Sequence, residues 1–570
     1  MKTARLLFSD HVVLIGDNNV GKSTILEALD LVLGPDRLAR PSPIDEHDFH
    51  LGEYLESDEN DDASSPPQIA ITATVTNLTD EQQTYFGDVI EWWDPAKKAL
   101  YAAPNGRRLD ASPAVAALRV TFLGTYDQAE DDFVGKTYYT RTLDESDAPQ
   151  PFTKTDKQKC GFLYLRSIRT GTRALSLERG SLLDIILRLK EIRPQMWEAT
   201  LDTLSGYDVA SDPALGISGV LNSIDAALKK YVPREWGIRP HLRVSALTRR
   251  HLREVITAFI ATGSGSHAAP FFRQGTGTIN MLLLAMLSQI AEDKQNVIFA
   301  MEEPETAIPP YAQKRIVHEL RKLSAQTIFT SHSPYVLEEF GLDETVVLGR
   351  SDDGELRQAA VNLPESVKLK RYRQEFRTRF CEGLLSRRVL IAEGATEAAA
   401  APAAARRLSE LNPSRYSSLE ALGIAVIDAG GEGNITGLAK LYKDIGKDTF
   451  ALCDKQTDDQ KKTIEQQVKE LYMHGEVGFE NLIFKNTPQA ALERFAKSLE
   501  WPPHLKSKYP DLAKNTAEAL SEYFKGAKGN WGLADYLVQC SEAEIPTWIR
   551  EVCTALAGHC DPQGPSKQSE

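Results

Sequence analysis

Three groups of residues in this 570-residue chain have the types and spacing for chemistry on phosphates. The first is Gly16-Asp17-Asn18-Asn19-Val20-Gly21-Lys22-Ser23-Thr24, which fits GxxxxGK[ST] between an apolar strand at 11–15 and a helix predicted over about 23–33. Glycines there let successive N–H groups turn inward around a phosphate, and the helix start adds its dipole. Lys22 would reach the β- and γ-phosphates, and the Ser23 hydroxyl would sit on Mg²⁺. The second group follows an apolar strand predicted over 297–301, which ends in Glu302 and Glu303. Glu302 would hold Mg²⁺ directly or through water, and Glu303 would polarise the attacking water. Alone, such acids read as a solvated strand end; beside the first motif they read as its catalytic half. After one more strand, at 327–330, His332 stands where it could contact a γ-phosphate.

The third group lies in the last third of the chain. Apolar strands over 389–392, 424–427 and 450–453 are each followed by an acid: Glu393, Asp428 and Asp454. Glu397 stands four residues after Glu393, across a Gly turn into an Ala-rich helix. Open α/β sheets bind ligands at the carboxyl ends of their strands, so these acids share one edge. They would repel one another unless a divalent cation neutralised them, and an all-oxygen set selects Mg²⁺ or Mn²⁺. Paired ions of this kind serve phosphodiester hydrolysis. Asp428 reads equally well as a solvated strand end.

The rest of the chain must position these groups. Its length allows three or four domains, and 42% hydrophobic with 26% charged residues excludes wholesale disorder and fibrous classes. A net charge of -14 excludes binding nucleic acid by bulk attraction, so such binding would need a local basic face or metal ions. No stretch reaches the ~18 apolar residues of a membrane span, and the N-terminal apolar run is too short for a signal peptide. The six cysteines lack a CxxC pair and read as reduced thiols, giving a cytoplasmic α/β multidomain protein with no membrane partner. Alternating runs at 69–75 and 118–123 predict antiparallel strands, 175–261 reads as helical, and a long apolar helix is expected from about Asn280. The acidic stretch 56–67 reads as a surface loop without a role. Lys368, Lys370, Arg371, Arg373, Arg377 and Arg379, with Tyr372 and Phe376 interleaved, read either as a phosphate-tracking surface or as a solvated linker helix.

The first two groups resemble the ABC-type ATPases of the recombination and chromosome-maintenance branch. The resemblance implies ATP sandwiched between two protomers, with a signature segment from the partner. Arg273-Gln274-Gly275-Thr276-Gly277-Thr278 is its best match, carrying Gly275 and Gly277, and it departs from LSGGQ. Members of that branch begin with a strand and a β-turn-β unit. Here about ten residues precede the loop strand, so either the run at 4–8 supplies the first strand or the N-terminus is truncated. The third group resembles a Toprim domain, in Glu393-Gly394 after the first strand and Asp454 at the DxD position.

This order of domains is similar to the OLD (overcoming lysogenization defect) family of ATP-dependent endonucleases. That resemblance implies Glu393, Glu397, Asp454 and Glu480 as metal ligands and Lys528, with Lys525 close behind, as the lysine that stabilises the transition state. The second DxD acid is replaced by Gln456, with Asp458 or Asp459 as candidates to compensate. The implied layout is an ATPase N-terminal part at 1–174, a helical, dimerising insertion at 175–261, an ATPase C-terminal part at 262–365, a basic linker at 366–384, a Toprim domain at 385–558 and a disordered tail at 559–570. The implied function is an ATP-hydrolysing, Mg²⁺- or Mn²⁺-dependent DNA endonuclease or nickase in phage defence or DNA repair. It would be a homodimer or larger, with a genetically linked protein or nucleic-acid partner. The alternative is a regulatory ATPase with a degenerate Toprim domain; a topoisomerase- or primase-like activity ranks last, since no strand-cleaving Tyr or zinc ribbon is evident.

Overall fold

The computed structural model describes residues 2–35, 43–55, 66–101, 114–145, 148–165, 181–190, 193–206, 217–228, 248, 250–252, 256, 259–261, 268–293, 296–306, 308–351, 353–363, 377–511, 515–526 and 532–560. The acidic stretch from 56 to 65, the basic run from Lys368 to Phe376, Lys528 and residues 561–570 lie outside the described residues.

Along the chain, β1 (Thr3–Ala4), β2 (His11–Ile15) and α1 (Lys22–Leu33) come first. An antiparallel group follows, β3 (Ile69–Thr76), β4 (Glu91–Asp94), β5 (Ala99–Leu100), β6 (Val115–Asp127) and β7 (Asp132–Tyr139). Next are α2 (Lys154–Cys160), β8 (Phe162–Leu165) and the helices α3 (Leu182–Leu189), α4 (Arg193–Gly206) and α5 (Ile217–Leu228). Then come β9 (Phe259–Ala261), β10 (Ala268–Pro270), α6 (Thr276–Asp293), β11 (Ile298–Glu302), α7 (Pro310–Leu323) and β12 (Gln326–Thr330). The remainder holds α8 (Pro334–Leu337), β13 (Thr345–Arg350), β14 (Glu355–Ala360), α9 (Arg377–Leu385), β15 (Arg388–Ala392), α10 (Ala395–Leu411), β16 (Ile424–Asp428) and α11 (Glu432–Asp444). It continues with β17 (Asp448–Cys453), α12 (Asp458–Glu465), β18 (Glu470–Met473), α13 (Phe479–Asn486) and, after shorter helices, α14 (Thr547–Cys560).

The chain divides into two compact units, Met1–Ile25 with Ile328–Glu570, and Leu26–Thr327. In the first, Val12 to Ile15 of β2 are fully buried, as a strand covered on both faces requires. β13 pairs with β2 in parallel and with β14 in antiparallel, and β1 pairs with β14. The end of β12 lies beside β2, where the Ser331 N–H donates to the Leu14 carbonyl at 3.3 Å. The same unit holds a second sheet, all parallel, in the order β16-β15-β17-β18. Its cover includes α10, whose Ala400, Ala404, Ala405 and Leu408 are buried with Leu390 and Phe450. Helix α9 ties the two sheets together: Thr378 donates to the Glu338 carboxylate just past α8, and the Tyr442 hydroxyl donates to the Phe380 carbonyl at 3.2 Å.

In the second unit β6 pairs antiparallel with β3, β4 and β7, and β8 pairs in parallel with β11. Trp197 of α4 and Leu252 form a small separate core against Leu183 and Leu187 of α3. Lys157 of α2 is fully buried, and its Nζ donates to the Leu31 carbonyl at 2.7 Å, capping the C-terminal end of α1. Burial pulls the Lys157 pKa down to about 7, against the attraction of Asp30. The unfolded chain keeps its proton up to 10.5. The destabilisation is therefore complete below pH 7 and is relieved as the pH rises toward 10.5. Wild-type stability should gain about 2 kcal/mol from this residue between pH 7 and about pH 9, a gain Lys157→Met lacks. Parallel stability–pH curves for the two proteins would refute this.

Four expectations are corrected. The first strand is Thr3–Ala4 rather than 4–8. The helix expected from Asn280 begins at Thr276, because its first carbonyl partner is Gly275, which accepts from the N–H groups of Thr278 and Ile279. The end of the expected helical region 175–261 is a strand, since β9 pairs antiparallel with β10. The tail expected from 559 starts later: His559 and Cys560 complete α14, with the His559 ring 5.9 Å from Phe450 and the Cys560 carbonyl accepting from Arg388.

Candidate functional site

The phosphate-type loop runs from the end of β2 into α1. Gly16 (φ 150°) and Gly21 (φ 111°) adopt backbone that side chains disfavour, and a Cβ on Gly16 would lie 2.6 Å from the Leu348 carbonyl oxygen. Asn19 is also left-handed, at φ 63°. Lys22 is buried, and its Nζ donates to the carbonyls of Gly16 and Asp17 at 2.8 and 2.9 Å, so it spans the loop. Asn18, Asn19, Ser23 and Thr24 are exposed around it. In the same unit, exposed His332 follows the end of β12, beside the strand that feeds the loop, and Ser333 caps α8.

In the other unit Glu302 ends β11 and accepts from the Tyr164 hydroxyl of neighbouring β8 at 2.6 Å. Glu303 sits at φ 44°, a left-handed conformation that a non-glycine residue holds only under constraint, and its N-terminal turn is closed by Thr306 N–H to its carbonyl. Gly275 precedes α6 and Gly277 lies in its first turn; Gln274 between β10 and α6 donates to the carbonyls of Ile260 and Ala269.

The parallel sheet gathers the remaining acids. The register sets Ala392 of β15 opposite both Asp428 of β16 and Leu452 of β17, so Glu393 and Asp454 emerge on adjacent strands. The Asp454 N–H donates to Glu393 Oε2 at 3.2 Å, and Gly478 N–H donates to Asp454 Oδ2 at 2.9 Å. Glu397, in the first turn of α10, and Glu480, in the first turn of α13, are 7% and 6% exposed. Glu480 accepts from Thr396 at 3.4 Å. Burial, with the Asp454 carboxyl alongside, pushes Glu393 up to about 7; burial, with Glu480 and Asp454 nearby, raises Glu397.

The chain's own reply to this crowding is Gln456. Its Nε2 donates to Glu393 Oε2 at 3.0 Å and to Asp454 Oδ1 at 3.3 Å, while its buried Oε1 has no hydrogen-bond partner. Drawn around that amide, the carboxylates are not splayed as a ligand cage: among the described residues no group of three or more His, Cys, Asp and Glu is arranged to hold an ion. The donor chemistry nevertheless fits a hard cation, since every donor is oxygen and Gln456 Oε1 is an orphan.

The structure thus brings Glu393, Glu397, Asp454 and Glu480 together. It does not bring Asp458, which stands exposed with Asp459 in the first turn of α12, beyond the Thr457 cap. Asp428 turns back on its own loop, accepting from Gly430 N–H at 2.7 Å. Lys525 is exposed at the end of its helix. Sequence reasoning missed the bridging by Gln456, though the broken DxD was its signal. It also missed Gly478 and His474. The latter is buried against Phe479 and Trp548, and burial holds its pKa down; no pattern pointed to it.

A family model described as overcoming lysogenization defect protein-like, TOPRIM domain, matches residues 384–455, and an AAA ATPase domain model matches 246–337. The chain carries an AAA-type ATPase domain and an OLD-like Toprim domain. A model for a family of unknown function matches residues 2–101. No curated protein matches it. Among solved structures, the C-terminal region of the Burkholderia pseudomallei OLD protein is 16% identical, covering 31% of this chain and 98% of that one at a TM-score of 0.24. The C-terminal region of the Xanthomonas campestris pv. campestris OLD protein is 21% identical, over 32% and 95%, also at 0.24. The SMC head domain from Thermotoga maritima is 11% identical, over 63% and 93%, at 0.26. Among the described residues no helix is long and apolar enough to cross a membrane.

Proposed function

We propose that this protein is an ATP-hydrolysing, divalent-metal-dependent DNA endonuclease or nickase, serving phage defence or DNA repair. The observation that carries the reading is the edge of the parallel sheet, where Glu393, Glu397, Asp454 and Glu480 meet and burial with a neighbouring carboxyl raises Glu393. A chain keeps such mutually repelling acids in one place when a cation is to join them. Bound there, Mg²⁺ or Mn²⁺ supplies charge neutralisation at the scissile phosphate and a water of lowered pKa. Glu393 and Asp454 would hold such an ion from adjacent strands, with Gly478 N–H orienting Asp454 and Thr396 orienting Glu480. Lys528 is the candidate to stabilise the charge that builds on the phosphate.

In the ATPase, Lys22, the loop amides and Ser23 bind the phosphates and Mg²⁺; Glu302 holds the ion, Glu303 orients water, and His332 and the segment of Gly275 and Gly277 complete the site across a homodimer. Helix α9 supports ATP gating of cleavage, since it is hydrogen-bonded at Glu338 on the ATPase side and to Tyr442 on the Toprim side. The chain is divided into ATPase parts at 1–174 and 262–365, an insertion at 175–261, a basic linker at 366–384 and a Toprim domain that runs from 385 through α14.

The second reading, a regulatory ATPase with a degenerate Toprim domain, is favoured by one observation: the neutral amide of Gln456 stands where a second acid is expected. Supercoiled plasmid incubated with Mg²⁺ or Mn²⁺ separates the two. Relaxation or linearisation by the wild type that is lost in Glu393→Ala supports the nuclease. Equal inactivity of both proteins rejects it and leaves the regulatory reading.

A further inference from the structure

One face of the second unit turns large apolar side chains outward. Leu51 is 78% exposed and Leu55 is 55% exposed. Leu51 holds a left-handed backbone, φ 59°, which a bulky residue rarely adopts, and Gly52 follows at φ 74°. A cluster of rings fixes the loop that carries these leucines. Phe49 and Tyr54 lie 5.8 and 5.2 Å from Phe133 of β7, and Tyr54 meets Tyr126 of β6 edge-on at 5.1 Å. Phe49 is buried, while Tyr54, Tyr126 and Phe133 are half-buried. The leucines therefore stand on an anchored segment.

The surroundings of this apolar face are acidic. Glu46, Asp48 and Glu53 of the loop, with Glu130, Asp131 and Asp132 at the tip of the β6–β7 hairpin, are all exposed. The Tyr126 hydroxyl donates to Asp131 at 2.6 Å, which ties the acidic tip to the ring cluster. No lysine or arginine occurs in 43–55 or in 126–135; Lys136 is the first along the hairpin. A single exposed leucine is ordinary surface. Two on an aromatic base, within a rim of one sign, form a face with a defined complement. Nucleic acid is repelled there, and two copies of the face laid together would repel each other. Its complement is a segment that carries cations around apolar side chains.

We propose that this face is a docking site for a basic segment of another protein, whose lysine or arginine side chains meet the carboxylate rim while its apolar side chains cover Leu51 and Leu55. The rim speeds the encounter and makes it salt-dependent, and the leucines and rings supply the affinity that survives salt. The inference stands apart from the nuclease reading.

The test uses the full chain and two fluorescein-labelled peptides of equal charge, one of lysine and leucine, the other of lysine and serine. At physiological ionic strength the lysine–leucine peptide is expected to bind about tenfold or more tightly, and to slow amide hydrogen exchange within 45–55 and 126–133. Leu51→Ser combined with Leu55→Ser should remove that preference and leave the melting temperature unchanged, since both side chains are exposed. Glu130→Gln combined with Asp132→Asn should weaken both peptides and flatten the dependence of affinity on salt. Equal affinity for the two peptides, a preference that persists in the leucine variant, or protection confined to other segments would overturn the inference. Self-association of the wild type that the leucine variant loses would overturn it as well, because a second copy would then cover the face.

Discussion

Asp454→Asn is expected to lower metal-dependent DNA cleavage by about 10³-fold while the protein melts no earlier than the wild type. A cation's stabilisation of transition-state charge is worth several kcal/mol, and each 1.36 kcal/mol is a decade in rate. Asparagine keeps an oxygen for the Gly478 N–H, which now bonds Asp454 Oδ2 at 2.9 Å. It also offers an amide to Glu393, whose proton affinity is raised by burial and by the Asp454 carboxyl. Losing one of two crowded charges relieves repulsion in the folded state, so stability is kept or gained as activity disappears. Cleavage rates and thermal melting, measured on the same preparation with ATP turnover as a control, check both halves. A variant that loses activity only because it melts early would show Asp454 to be a structural residue.

Glu303→Gln should lower ATP turnover by about 10²- to 10⁴-fold with nucleotide affinity retained, the range that a positioned general base supplies. Glu303 holds a left-handed backbone, φ 44°, immediately after the strand end that delivers Glu302. Such strain persists where surrounding structure over-determines it, and it clusters at working sites. Glu302 is anchored separately by the Tyr164 hydroxyl, so the substitution leaves that anchor alone. Nucleotide binding by a fluorescent analogue, set beside phosphate release, separates the two steps. Equal loss of binding and turnover would assign Glu303 to the loop's architecture instead.

The two sites were not equally legible in the sequence. The loop at 16–24 was readable because its chemistry is local: glycines, a lysine and a hydroxyl within one turn cannot serve their purpose at any other spacing. The acids after β15 and β17 were readable for a related reason. A buried parallel strand must be nearly all apolar, so the first charged residue after it marks the sheet's carboxyl edge. Glu480 needed the family resemblance, since nothing local ties Gly478-Phe479-Glu480 to a strand 24 residues earlier; the tie is the Gly478 N–H on Asp454. Asp458 is as near in sequence to Asp454 as Glu397 is to Glu393, and Asp459 is one residue further. They miss the site because Thr457 caps a new helix and turns them into solvent at its N-terminus, where the dipole favours them.

From its own residues the chain therefore determines a phosphate-binding loop, a parallel sheet with acids at one edge, and a missing acid at position 456. Only the tertiary structure decides that Gln456 stands between Glu393 and Asp454 with its oxygen stranded. Periodicity specifies which face of an element is buried, but which side chains meet across three loops depends on strand register and on where each helix begins, and those follow from packing.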